Sequence, residues 1–306
     1  MAVNTKDIKE LMTLTSAGMM DCKKALEEAG GDMTEAQKIL REKGKASQEK
    51  KAGRAAAEGL VAVAIEGNKG IVVEVNSETD FAAKSDAFVE FVQNTAKSTL
   101  AAFPNDLETL MGSPFIGSEF TIKGALDELF VKIRENLQVR RFKAMEGTLC
   151  SYIHNGGEIA VMVNFDTDLP VSDKLIECGK NVAMQIAAMY PAYLSEKDVP
   201  AEVIAEEKEI AIKQLNEDPK NANKPDQLKA KIAEGKIKKF FSERCLLNQT
   251  YVKDDKLTVA QYIAGVAKEL GGKLELTEYV RFQKGEGVAK KEDNFAEEVA
   301  KMAQGE

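Results

Sequence analysis

Much that would announce covalent chemistry is missing from this sequence. Histidine occurs once, at His154 in a hairpin turn, so a Ser-His-Asp arrangement could be built only around it. The four cysteines, Cys22, Cys150, Cys178 and Cys245, are widely separated and form no Cys-x-x-Cys pair. That spacing argues against a disulfide framework or a zinc knuckle and predicts reduced, partly buried thiols in a cytoplasmic protein. Long apolar runs are absent, as is an apolar signal core between Met1 and Glu10, so a soluble chain with no membrane association and no processing is expected. An excess of basic residues is missing too. Lys and Arg total 42 against 50 Asp and Glu, a net charge of -8, which speaks for protein partners and against direct, phosphate-driven nucleic-acid binding. No glycine cluster follows a strand with P-loop or dinucleotide spacing, and metal ligands do not cluster, so no cofactor is expected. An enzyme would have to rest on Asp80 and Asp168, brought together by internal symmetry.

What is present is ordinary for a globular protein: 306 residues, 44% apolar and 30% charged, enough for two or three domains. The first segment reads as three short helices. Thr5 to Thr13 places Ile8, Leu11 and Met12 on one face, and Met19 to Ala29 places Met19, Cys22, Ala25 and Leu26 on another. Gly30-Gly31 ends the second helix. Asp32 or Thr34 caps a third, with Ala36, Ile39 and Leu40 inward, until Gly44 stops it. Met20 and Lys23 are left on the outside of the second helix as a contact surface, or Met20 is core. Lys45 to Glu58 holds almost no large apolar residue and reads as a basic linker.

From Gly59 onward the chain repeats. A shift of 88 positions superposes Gly59 on Gly147, Ile71 on Ile159, Val73 on Val161, Asn76 on Asn164, Thr79 on Thr167 and Asp80 on Asp168. Each copy reads as strand, Gly-containing turn, strand, turn and helix, the helices covering about Asp86 to Phe103 and Asp173 to Met189. Arg141-Phe142 followed by Gly147, and Arg281-Phe282 followed by Gly287, suggest a returning third strand in each. The fold class is therefore α+β, with helices packed on small antiparallel sheets. The second copy is longer by about 52 residues. The surplus is two charged helical stretches, Ala201 to Asn216 and Pro225 to Leu247, around a strong turn at 217–224. They form an inserted helical hairpin whose expected seam sets Val203, Ile210 and Leu215 against Leu228, Ile232 and Ile237. Glu292 to Met302 predicts a C-terminal helix with Phe295, Val299 and Met302 on one side.

The stretch that decides function is Asn76 to Lys84, where a strand passes to a helix and a large aromatic, Phe81, stands beside Glu78 and Asp80. Phe81 either packs at the helix start or enters a partner. Met-Met-Asp-Cys-Lys-Lys-Ala-Leu at 19–26, Lys-Ala-Gly-Arg-Ala-Ala-Ala-Glu-Gly at 51–59, Glu-Val-Asn-Ser-Glu-Thr-Asp-Phe at 74–81 and Arg-Phe-x-x-Gly-Glu-Gly at 281–287 resemble the bacterial elongation factor Ts family over nearly the whole chain.

The resemblance implies a guanine-nucleotide exchange factor for the GTPase elongation factor Tu, with a ubiquitin-associated-like (UBA-like) bundle, a two-part core and a coiled-coil arm. It divides the chain into the bundle at 1–44, the linker at 45–58, a first core subdomain at 59–146, a second at 147–199 and 248–288, the arm at 200–247, and a C-terminal helical module at 289–306. It places the element that dislodges the GTPase's magnesium on Thr79, Asp80, Phe81 and Ala82, with Ala82 where valine is commoner. Partner contacts fall on Met19, Met20, Lys23 and His154, with Glu158 where a basic residue is more usual beside His154. Self-association through the arm or the second subdomain remains open on the residues. The competing class is a non-catalytic adaptor whose bundle binds a ubiquitin-like or other helical partner.

Overall fold

The computed structural model describes residues 3–15, 17–221 and 223–289; the expected helix at Glu292 to Met302 lies outside the described residues. Three helices open the chain: α1 (Thr5–Thr15), α2 (Met19–Glu28) and α3 (Met33–Lys51). Their spacing puts Ile8, Leu11, Cys22, Ala25, Leu26, Ala36 and Leu40 into one small core. Gly30, with φ 62°, turns left-handed after α2, and Gly31 N donates to Leu26 O at 2.8 Å. Asp32 caps α3 by accepting from Glu35 N at 2.8 Å.

Two expectations are corrected here. Met19 points outward, 56% exposed, and Met20 is 59% exposed, so neither is core. Gly44 does not stop α3, which runs on to Lys51 and takes up half of the expected linker. A Cβ at Gly44 would come within 3.2 Å of Val131 Cγ2, so this glycine sits where α3 passes close to a later helix. Beyond α3, Ala56 and Ala57 are buried.

The first half follows as β1 (Glu58–Glu66), β2 (Lys69–Ser77), α4 (Asp80–Ala83), α5 (Asp86–Ala102), α6 (Leu107–Gly112), α7 (Ile122–Ile133) and β3 (Gln138–Glu146). The second is β4 (Thr148–His154), β5 (Ile159–Thr167), α8 (Asp173–Met189), α9 (Ala201–Glu217), α10 (Asp226–Arg244), β6 (Thr250–Tyr251), β7 (Asp254–Thr258), α11 (Val259–Leu270) and β8 (Leu274–Gln283). Each half holds a three-stranded antiparallel sheet, ordered β1-β2-β3 and β4-β5-β8. Mixed helix and antiparallel sheet is the α+β class that the patterning predicted.

Each three-stranded sheet buries both faces. On its outer face the first packs Val73, Val75 and Val139 against Phe88, Val92 and Leu126 of α5 and α7. The second packs Val161, Val163 and Phe165 against Leu175, Val182 and Ile263 of α8 and α11. The inner faces meet each other through Val61, Val72, Met145, Ala160, Met162 and Phe282. Such two-sided burial explains why β2 and β5 read as near-continuous apolar runs.

The repeat carries a shared latch. Gly59 and Gly147 both have large positive φ, 137° and 144°, and Asn76 and Asn164 donate their side-chain amides to Glu58 O at 3.0 Å and Glu146 O at 2.9 Å. A Cβ on Gly147 would land on the Asn164 amide.

The third-strand correspondence is corrected by one residue. Phe142 pairs with Val73 and joins the outer core, whereas Phe282 pairs with Ala160 and lies between the sheets. Arg141 accordingly turns to the seam and Arg281 to the helix face, over the Tyr190 ring at 4.2 Å. Bulges at Glu74/Val75 and Asn164/Phe165 stand at different places in the two copies and shift the register.

The inserted helices pair, on a stripe that only partly matches the expected one. Leu215 and Ile237 are buried as expected, joined by Ala211 of α9 and by Lys229 and Ala233 of α10, while Ile210 and Leu228, expected inside, are 42% and 43% exposed. Cys245 and Leu246, counted with the hairpin by the sequence reading, are fully buried, Leu246 within the second core.

Candidate partner-binding surface

The turn after β2 is built by its own polar side chains. Thr79 is the N-cap of α4, its hydroxyl accepting from Ala82 N at 3.2 Å. Glu135, from the junction of α7 and β3, accepts from Thr79 N at 2.9 Å and from Thr79 Oγ1 at 2.6 Å. Ser77 Oγ donates to Thr79 O at 3.0 Å and Ser85 Oγ to Ala82 O at 2.7 Å, closing the other side. Asp80 accepts from Lys84 Nζ at 2.6 Å, and that hydrogen bond holds its carboxyl below the ordinary aspartate value.

On this braced turn Phe81 is 84% exposed, the most exposed of the large apolar side chains among the described residues. Ala82 faces inward at 7%, so it supports the turn and leaves the ring alone at the surface. The matching residue of the second half, Leu169, packs against the core instead. There Thr167 Oγ1 donates to Lys273 O at 2.6 Å and Asp168 accepts from Lys273 N at 2.6 Å. Asp80 and Asp168 are thus each engaged by their own partners, and no cluster of His, Cys, Asp and Glu able to hold a metal occurs among the described residues.

A second exposed surface lies on α2, where Met19, Met20 and Lys23 stand together at the surface and Lys23 pairs with Glu27 at 3.8 Å. Leu14 of α1 is also 59% exposed. Asp21 beside them is bonded by Arg134, which the chain places immediately before Glu135. The two surfaces are therefore joined through adjacent residues, a link that sequence reasoning missed because Glu135 lies 56 positions from Thr79. His154 stands apart on the hairpin between β4 and β5. Its Nδ1 is 3.0 Å from Tyr152 Oη, and its carbonyl accepts from Gly157 N and Glu158 N, both at 3.1 Å. Hydrogen bonds from Asn155, the larger effect, and Lys284 hold the Glu158 carboxyl below its ordinary value and fix it in the turn.

A repeated sheet-and-helix core with a helical bundle before it and a helical pair inserted in it defines the class of protein. The sequence pattern described as Elongation factor TS matches residues 78–286. The chain is 45% identical over 305 residues to the elongation factor Ts of Syntrophotalea carbinolica, with 99% of each chain covered. It is 46% identical over 312 residues to that of Trichlorobacter lovleyi, again over 99% of each, and 45% identical over 304 residues to that of Clostridioides difficile, over 98% of each. The chain belongs to the elongation factor Ts family and is a translation elongation factor. No helix among the described residues is long and apolar enough to cross a membrane.

Proposed function

We propose that this chain works in the cytoplasm as a non-catalytic exchange factor that binds elongation factor Tu carrying GDP, disturbs its magnesium and phosphate site through Phe81, and so releases GDP for GTP to enter. The observation that carries the reading is an exposed phenyl ring on a turn braced from both sides. Leaving a large aromatic in water forgoes about 1.5–3 kcal/mol of burial, a cost that is recovered when a partner covers the ring. Exchange needs no bond making by this chain. A factor that binds the empty GTPase more tightly than the loaded one must, by reciprocity, weaken nucleotide binding by the same factor.

In this reading Thr79 and Asp80 shape the turn, Phe81 is the wedge and Ala82 its footing. Met19, Met20 and Lys23 of a UBA-like bundle grip the GTPase's nucleotide domain, and His154 meets another of its domains. The α9–α10 pair is a coiled-coil arm, and its exposed Ile210, Ile212 and Leu228 offer a surface for the GTPase or a second copy. In this reading the chain divides into bundle, two core subdomains and arm, with the bundle extended to the end of α3 at Lys51 and with Cys245 and Leu246 in the core. The test is release of labelled GDP from a Tu-type GTPase. Phe81→Ala should fold normally and lose most of the stimulation, and unchanged kinetics in that variant would remove Phe81 from the mechanism.

A further inference from the structure

We infer that Arg134 and Glu135 are positioning residues, a strut that fixes the Phe81 turn relative to the exposed face of α2 so that both meet one partner in a set geometry. The inference rests on the reading of Phe81 as the partner-entering residue. Three consecutive residues after α7 each reach a different element. Arg134 bonds Asp21 of α2 through its guanidinium, and its carbonyl accepts from Lys51 Nζ at the end of α3. Glu135 takes both the amide and the hydroxyl of Thr79. Asn136, 3% exposed, donates its amide to Glu78 Oε1 at 2.6 Å and its side chain to Arg54 O at 2.7 Å and Ala52 O at 3.2 Å. One short segment thereby ties α2, the chain after α3 and the turn before Phe81 to a single point.

The backbone at that point is itself specialised. Arg134 ends α7 in the left-handed region, φ 61°, with its amide on Phe130 O at 2.8 Å, a conformation disfavoured for a residue with a Cβ. That turn directs Arg134 and Glu135 to different neighbours. The start of α2 accommodates the guanidinium, since a Cβ at Gly18 would lie only 3.3 Å from Arg134 Nη2.

Glu135 also decides how Thr79 caps. The hydroxyl has one proton, and giving it to Glu135 leaves a lone pair for Ala82 N. Charge-assisted bonds of this kind are the stronger sort. In the second half Thr167 gives its proton to a main-chain carbonyl, Lys273 O, and the side chain two positions on is the inward-packed Leu169. A carboxylate brace thus occurs in the half whose aromatic points outward.

The full-length protein tests this in a stopped-flow assay of labelled GDP release, with thermal melting in parallel. Glu135→Ala should slow maximal stimulated release by about tenfold, the effect of a misaimed contact in the transition state, with little change in melting temperature. Glu135→Gln, which keeps an acceptor, should recover part of the loss. In a Phe81→Ala background Glu135→Ala should add almost nothing, because both act through one ring. Arg134→Ala should raise the factor concentration needed for half-maximal stimulation more than it lowers the maximum. Wild-type release by Glu135→Ala in a chain where Phe81→Ala is impaired would overturn the strut alone, as would a loss that persists in full on top of Phe81→Ala. Normal release by Phe81→Ala would overturn the functional reading and the strut with it.

Discussion

Phe81 and Leu169 occupy the same place in the two halves, 88 positions apart, yet the first ring is 84% exposed while the second side chain is partly buried against the second core. Opposite mutational outcomes follow. Leu169→Ala should cost about 1–2 kcal/mol of stability in urea unfolding, below the range for fully buried leucines, and leave exchange intact. Phe81→Ala should stay within about 0.5 kcal/mol of the parent, as exposed sites do, and lose exchange.

Gly147→Ala should be among the most damaging single-methyl changes in the chain. Its φ of 144° disfavours any Cβ, and the added methyl would displace the Asn164 amide from Glu146 O. A loss of about 2 kcal/mol or more is expected from conformation and broken hydrogen bond together, read as a fall in thermal midpoint. Gly59→Ala should behave alike.

The cysteines make the fold sensitive to alkali. Burial pushes the Cys150 and Cys245 thiols up to about 11 and the Cys178 thiol up to about 12. Each is neutral when folded and ionises more readily when unfolded. Their contribution is complete below the ordinary thiol value and is lost as pH rises from there through about 11 to 12. Unfolding free energy measured across that range should decline, and a thiol reagent near neutral pH should modify these residues only as the protein opens.

The inserted helices should be removable if the cut respects their root. Leu246 N donates to Tyr193 O at 2.9 Å and Leu247 N to Leu194 O at 3.0 Å, with Leu246 inside the core. Replacing 203–240 by a short linker should leave a folded core with sharp melting. Extending the deletion through Leu247 should cost about 2–5 kcal/mol more for the lost buried leucine, and equal melting of the two would show that the root contributes nothing.

How much of this was legible in the sequence depended on distance along the chain. The hairpins, the 88-residue repeat and both ends of α8 followed from local turn chemistry and periodicity. The third strands were recognised but misaligned, because a bulge adds a residue that alternation alone does not reveal. The seam of α9 and α10 was legible at Leu215 and Ile237, but close packing also used Ala211 and Ala233 and left Ile210 and Leu228 outside, which side-chain size alone does not reveal. Thr79 and Asp80 recur in both copies as Thr167 and Asp168, but the hydrogen bonds they make differ between the halves, which the sequence does not reveal. Glu135 gave no local signal, since only folding carries it to Thr79.

Glu74 is fully buried at the seam between the sheets, where it accepts from Arg140 at 3.0 Å, from Arg141, and from Gly285 N of the other half at 2.7 Å. The repeat puts Met162 in the matching place. The duplicated units have therefore diverged into unlike mates: one presents a carboxylate that asks for a foreign amide, the other a thioether that asks for oil. Neither could satisfy a twin of itself, and a gene fragment encoding one unit alone would yield a widowed surface in place of a miniature of the whole.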